Sequence, residues 1–276
     1  MVAAFSNWKK SEFMLILNLL TVPFKFRRHL RYHRYIIKHI RWTKADERRL
    51  IFYKSLISPS DLVFDVGANM GNRSKIFRAI GARVIAFEPQ TYCATFLSAV
   101  FSGDDGFKLV QAALSNTEGE ATMHLSDAHV LSTLDTDWMN RMNQGGRFAN
   151  QWDKTEVVRV TTLDKSIEKF GIPAFIKIDV EGHEFNVVKG LSQPIKLLSM
   201  EFASESLHSI HKCIDHLDTL AAYEYRLSFG ESMKFEGSSW SSGSEVKTAL
   251  EKARERDALV WGDVYARRVQ QAGKYA

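Results

Sequence analysis

The chain has 276 residues, 45% apolar and 25% charged, the balance of an ordinary soluble globular protein long enough to bury one sizeable α/β core. Its two cysteines, Cys93 and Cys213, lie far apart without a CxxC pair, which leaves no basis for a disulfide framework or a cysteine zinc site and fits a reducing, cytoplasmic compartment. The net charge of +5 is uneven, since residues 1–60 carry 13 Lys and Arg against 3 Asp and Glu while the remainder carries 24 against 29.

Residues 1–60 therefore read as a basic helical extension ahead of one domain over 61–276. Within the extension, FMLILNLLTVPF (13–24) is only 12 residues long, short of the roughly 20 that span a bilayer as a helix. Lys9 and Lys10 precede it, but no small-x-small cleavage site follows, so a signal peptide is not expected. The next stretch, KFRRHLRYHRYIIKHIRWTK (25–44), interleaves cations with aromatic rings. Such a pattern suits phosphates, nucleic acid or an anionic membrane surface, and equally a solvated helix whose aromatic side packs on the domain. Thr43 and Asp46 form an acidic variant of a helix-start box, Leu50, Tyr53 and Leu56 or Ile57 supply an apolar stripe, and the helix ends before Pro59.

Beyond Pro59 strand and helix patterns alternate. Strands are expected at 62–66, 83–87, 107–110, 174–179 and 197–202, with helices at 72–80, 91–101 and 184–190, which implies a largely parallel sheet wrapped by helices. The stretch 115–160 reads as an insertion containing a hairpin and a loop. After residue 203 a helix is expected over SLHSIHKCIDHLDTL. YEYRLSF and ALVWGDVYARR follow as late strands, an antiparallel pair at one sheet edge, and EGSSWSSGS (236–244) reads as a flexible loop.

The turn after the first strand reads G-A-N-M-G and follows Asp65. At the carboxyl ends of parallel strands such a turn faces the ligand crevice, and Gly67 and Gly71 give a ligand access to the backbone. A dinucleotide fold would have GxGxxG there, and Asp65 would repel a pyrophosphate. Glu88 ends the second strand, 23 positions after Asp65, where a carboxylate can accept both hydroxyl protons of a ribose. An adenosine with a positively charged tail, S-adenosylmethionine, satisfies both ends.

The motifs FDVGANMG, AFEPQ, AALSNTEG, VTTLDK and FIKIDVEGHEFNVVKGL occur in an order that resembles the FkbM-type S-adenosylmethionine-dependent methyltransferases, over about residues 62–202. The resemblance implies a class I methyltransferase, Rossmann-like fold with a seven-stranded, mostly parallel sheet, and O-methylation of sugars or other natural-product hydroxyls. Carried over by position, it implies that Asp65, Gly67, Asn69 and Gly71 form the cofactor turn, that Glu88 takes the ribose, and that Ala112 and Ala113, with Leu114, border the adenine.

The chemistry is expected at IKIDVEGHE. Strand alternation places Lys177 and Asp179 on one face, so a cation and an anion converge at the end of a central strand. An alcohol becomes an adequate nucleophile as its proton is accepted. Asp179 is the first candidate for that base, Glu181 and His183 are alternatives, and Lys177 holds or tunes the carboxylate. A structural ion pair at the same place is the competing reading. Glu201 could line the same crevice, and with Asp179 and His183 could hold a divalent cation, although the spacing requires none. In the insertion, Ser132 is a candidate acceptor contact, with Thr133 beside it and Trp138 as a stacking surface. The expected partners are a hydroxyl-bearing small molecule or glycan and, through residues 13–42, an anionic membrane surface. A nucleic-acid methyltransferase and a non-catalytic membrane module of this fold are the competing functions, the first weakened by the acidic balance of residues 61–276 and the second by the presence of Asp65, Glu88 and Asp179.

Overall fold

The computed structural model describes residues 41–126, 132–135, 139, 152 and 154–269. The segment 1–40 and Trp138 lie outside the described residues. Helix α1 (Lys44–Lys54) opens with the expected box: Thr43 accepts from the Asp46 backbone N–H at 3.2 Å, and Asp46 accepts from the Thr43 N–H at 2.9 Å. Its Phe52 and Tyr53, with Ile57 just beyond it, are buried against the sheet rather than held apart from it.

Seven strands then form one sheet: β1 (Leu62–Val66), β2 (Arg83–Phe87), β3 (Phe107–Val110), β7 (Phe175–Ile178), β8 (Leu197–Ala203), β9 (Tyr223–Phe229) and β10 (Trp261–Arg268). Their order across it is β3-β2-β1-β7-β8-β10-β9. The pairs β3/β2, β2/β1, β1/β7 and β7/β8 are parallel, whereas β10 runs antiparallel to both β8 and β9. The sheet is thus mostly parallel, with the expected antiparallel edge. Near-continuous apolar runs such as LVFDV, buried at all five positions, follow from helices covering both faces. One face carries α1 and α2 (Ser74–Ile80) with the cluster around Tyr53, Phe77, Phe175 and Tyr265. The other carries α4 (Leu163–Phe170), α5 (Glu184–Lys189), α6 (Leu207–Leu220) and α7 (Gly243–Arg256) with the cluster around Phe64, Ile176, Ile214 and Leu250. Helix α3 (Thr91–Val100) links β2 to β3.

The insertion builds a second sheet in the order β4-β6-β5, from β4 (Ala113–Leu114), β5 (Gly119–Leu125) and β6 (Lys154–Thr161). The antiparallel β5/β6 pair is the expected hairpin. Several boundaries shift by one to three residues, and the late loop shows why one does. The loop ascribed to 236–244 ends at Ser242, because Ser242 and Glu245 form a capping box that starts α7, a signal obscured by the serine and glycine content around it. Among the described residues no helix is long and apolar enough to cross a membrane.

Candidate active site

The carboxyl ends of β1, β2, β7 and β8 open into one cavity. Asp65, Gly67, Asn69, Glu88, Ala112, Ala113, Ser132, Asp179, Glu181, His183 and Glu201 all line it, so the structure brings together most of the residues singled out in the sequence. Gly71, Thr133 and Lys177 do not line it. Gly71 points away from the cavity: a Cβ there would meet Leu97 at 2.8 Å and Phe101 at 3.1 Å, so the residue lets the turn pack on α3 instead of admitting a ligand. Lys177 lies beneath the cavity floor, 1% exposed.

The glycine turn is shaped by β2 and β7. The Gly67 and Ala68 N–H groups both donate to the Phe87 carbonyl at 3.0 Å. Gly67 has φ +79, and a Cβ there would sit 1.8 Å from the Asp179 carbonyl oxygen, so no larger residue fits while β1 and β7 remain paired. Asn69, at φ +49, aims its N–H at Glu88 Oε2, 2.7 Å away, and the Gln90 N–H donates to Glu88 Oε1 at 2.8 Å. Each carboxylate oxygen thus keeps lone-pair capacity for a ligand. Burial lifts the Glu88 carboxyl to about 7 against those two backbone donors. Asp65 does not face solvent as an open anion: the Ser74 hydroxyl donates to it at 2.5 Å, and burial lifts its carboxyl to about 6 despite that bond.

Across the sheet the charges fall into two rows. Asp65 stands beside Lys177, and Lys177 beside Ser199; one step up, Glu201 stands beside Asp263. The Lys177 Nζ donates upward to Asp179 at 3.1 Å and to Asp263 at 2.9 Å. Burial alone would lower the Lys177 ammonium; the Asp179 and Asp263 carboxylates outweigh it and hold the group protonated, well above its usual range. Burial works likewise to raise Asp179, but the Lys177 charge prevails and its carboxyl is lowered. Glu201 goes the other way: burial and the neighbouring Asp179 and Glu181 charges push it well above the usual carboxylate range. Asp179 and Glu201 therefore titrate as a pair whose shared proton is drawn toward Glu201 while Asp179 favours the ionised form.

The turn after β7 is held from below. Glu184 Oε1 accepts from the Val180 N–H at 3.3 Å and the Gly182 N–H at 3.1 Å, which supports Glu181 at φ +53 and Gly182 at φ +94. From above, the Thr133 hydroxyl donates to the Glu181 carbonyl at 2.7 Å. That bond ties the insertion to the turn after β7. Ser132, 5% exposed, accepts from the Ser126 N–H at 3.1 Å. The His183 ring is bonded at both nitrogens, Nε2 to the Ser115 hydroxyl at 3.0 Å and Nδ1 to the Asn186 amide at 3.1 Å, and burial lowers its proton affinity. It is a neutral strut of the wall, less suited to proton transfer than Asp179. Carboxylate oxygens of Asp179, Glu181 and Glu201 lie within 4.8 Å of one another, a set that could hold a divalent cation.

Several site residues escaped the sequence reading. Asp263 comes from β10, and its role shows only once that strand inserts beside β8. Arg49 from α1, Arg73 from the glycine turn and Glu231 from the loop after β9 line the same cavity. Met123 from the insertion completes the apolar wall with Ala112, Ala113 and Leu114.

A family model described as the methyltransferase FkbM domain matches residues 65–227. No curated protein matches the chain. Among solved structures, the chain is similar to precorrin-6y C5,15-methyltransferase from Geobacter metallireducens GS-15, with 11% identity and a TM-score of 0.43 over 80% of this chain and 86% of that one. It is also similar to fibrillarin of Aeropyrum pernix, whose structure holds natively bound S-adenosyl-L-methionine, with 9% identity and a TM-score of 0.39 over 80% and 75% of the two chains.

Proposed function

The chain belongs to the FkbM methyltransferase family, and on that premise we propose that it methylates a hydroxyl of a saccharide, glycolipid or other natural product. The cofactor is S-adenosylmethionine, and the cavity suits it on its own terms. Glu88 keeps two acceptor sites at the strand end where a ribose diol would donate. Ala112, Ala113, Leu114 and Met123 form an apolar wall for a flat base. Gly67 lets the first turn pack directly on the Asp179 carbonyl, and Gly67, Ala68 and Asn69 line the cavity with backbone along which a ligand tail would run. When bound, the cofactor supplies an electrophilic methyl group on a cationic sulfur.

The observation that carries the reading is the Asp179–Lys177 pair at the floor of that cavity, with Asp179 itself 30% exposed. Lys177, doubly paired, fixes the carboxylate in place and keeps it ionised. Asp179 then holds an acceptor site for the proton that an acceptor hydroxyl sheds, a contribution of roughly 10²- to 10⁴-fold for a positioned base. Glu201, toward which the shared proton is drawn, can donate a hydrogen bond to Asp179 or to an acceptor oxygen. Ser132, in the cavity wall, offers a small polar contact of the kind that orients a polyol.

Transfer of labelled methyl from S-adenosylmethionine into fractions of a native extract, with identification of the labelled product, tests this reading. Label in a hydroxyl-derived methyl ether of a saccharide, glycolipid or other small molecule supports it, whereas label confined to RNA, to an amine or to carbon overturns it. The proposal extends to the basic segment 13–42, whose cations and apolar run suit peripheral contact with an anionic membrane that presents lipid-linked acceptors.

A further inference from the structure

The wall of the cavity also carries a cluster that the transfer chemistry does not use. Arg49, Asn72, Arg73 and Glu231 line it. Glu231 bridges two guanidiniums from separate parts of the chain: its Oε2 accepts from Arg49 Nε at 3.2 Å and Nη2 at 3.1 Å, and its Oε1 accepts from Arg73 Nη2 at 2.7 Å. Arg49 is itself held in place. Its Nη1 donates at 3.0 Å to Asp46, which is 1% exposed and also takes the Lys75 ammonium at 2.9 Å. Arg73 Nε is buried and finds no partner among the described residues.

A carboxylate clasped by two guanidiniums is the geometry that these side chains offer any carboxylate. Glu231 is the least fixed member, 41% exposed against 16% for Arg49 and 13% for Arg73, and it sits on a loop rather than within a strand or helix. The nucleoside end of the cavity is set by Glu88 after β2, while Gly67 after β1 and Arg73, the N-cap of the following helix, line the same cavity. A cofactor extended from Glu88 past Gly67 brings its amino-acid tail to the arginines.

Building on the cofactor assignment, we propose that Arg73, with Arg49 beside it, binds the α-carboxylate of the S-adenosylmethionine tail, and that Glu231 occupies this place and yields it when the cofactor enters. The exchange breaks no covalent bond and moves no proton: one carboxylate replaces another on the same guanidiniums. The spare Arg73 Nε supplies the additional donor that a two-pronged contact needs.

Calorimetric titration of the full chain with S-adenosylhomocysteine and with 5′-methylthioadenosine, which has the same nucleoside thioether but no amino-acid tail, separates the tail from the rest. The wild type should bind the first more tightly. Arg73→Ala should weaken S-adenosylhomocysteine at least about tenfold while leaving 5′-methylthioadenosine within about twofold, the loss expected when a charge-assisted hydrogen bond is removed. Glu231→Gln, which keeps the loop's shape, should tighten S-adenosylhomocysteine alone. Equal weakening of both ligands by Arg73→Ala, or no weakening of either, would overturn the tail site. Unchanged or weaker S-adenosylhomocysteine binding by Glu231→Gln would overturn the exchange. A wild-type chain that binds neither ligand would overturn the cofactor assignment, a result distinct from the loss of tail discrimination alone.

Discussion

The Lys177 ammonium lies 2.9 Å from a carboxylate oxygen of Asp263, a residue 86 positions further along the chain, and this pair sits 1% and 6% exposed beneath the cavity. The contact couples the last strand to the turn after β7. Without Lys177, the Asp263 and Asp179 carboxylates would face each other and Glu201 with no cation between them. Lys177→Met should therefore lower stability by about 3–5 kcal/mol, the cost of leaving buried charges uncompensated. Denaturant titration reads this. Adding Asp263→Asn to Lys177→Met should recover part of the loss, and a double variant no more stable than the single one contradicts the pairing.

Asp179→Asn keeps the shape and removes the proton acceptor. Turnover should fall by at least about a hundredfold, while S-adenosylhomocysteine binding remains nearly intact. Lys177, losing one of two carboxylates, still has Asp263. Near-normal turnover in a folded variant would leave the pair a purely structural role.

Cofactor affinity should depend on pH through Glu88. Its carboxyl is raised to about 7 by burial, and a ribose diol donates to the ionised form. Binding is therefore fullest above that value and is lost as protons compete below it. Between about pH 8 and pH 6, S-adenosylhomocysteine affinity should fall roughly tenfold. Glu88→Gln should bind at least about tenfold more weakly at pH 8 and show a much shallower slope. An equal slope in both proteins would place the titration elsewhere, Asp65 being next in line.

Exhaustive chelation should leave activity intact. The carboxylates of Asp179, Glu181 and Glu201 are close enough to hold a cation, but the Lys177 ammonium, 3.1 Å from Asp179, already supplies a positive charge beside them. Activity lost on metal-free dialysis and restored by magnesium would assign the three carboxylates to an ion instead.

The basic segment 13–42 can be tested by flotation with anionic vesicles. The full chain should float, and less so at high salt, because each cation near the headgroups adds about 1 kcal/mol and is screened beyond a Debye length. A chain starting at Thr43 should stay behind. Equal behaviour of the two would remove the membrane from the proposal.

The local parts of this fold were legible because their causes are local. Apolar runs ending in Val66 and Phe87 give β1 and β2 their observed limits, and Thr43 with Asp46 gives the start of α1. Strand alternation likewise foretold that Lys177 and Asp179 converge. What could not be read depends on register between distant strands. Nothing in GDVYARR marks Asp263 as the partner of Lys177 until β10 lies antiparallel between β8 and β9. Glu231 is equally anonymous in its loop until Arg49 and Arg73 meet it. Gly71 shows the converse: its place in the motif suggested ligand access, while its surroundings, Leu97 and Phe101, make it a packing residue. The α7 box at Ser242 and Glu245 was legible and was masked by its serine-rich context.

Because β10 is inserted between two strands that precede it in the sequence, a nascent chain has synthesised β8 and β9 before the strand that joins them exists. Residues up to β9 can collapse around the parallel half of the sheet, but Lys177 then lacks Asp263 and the β8 edge has no antiparallel neighbour. The site is therefore completed only once β10 has docked between β8 and β9, and a chain that ends before Trp261 would leave an open strand edge exposed to chaperones or to aggregation.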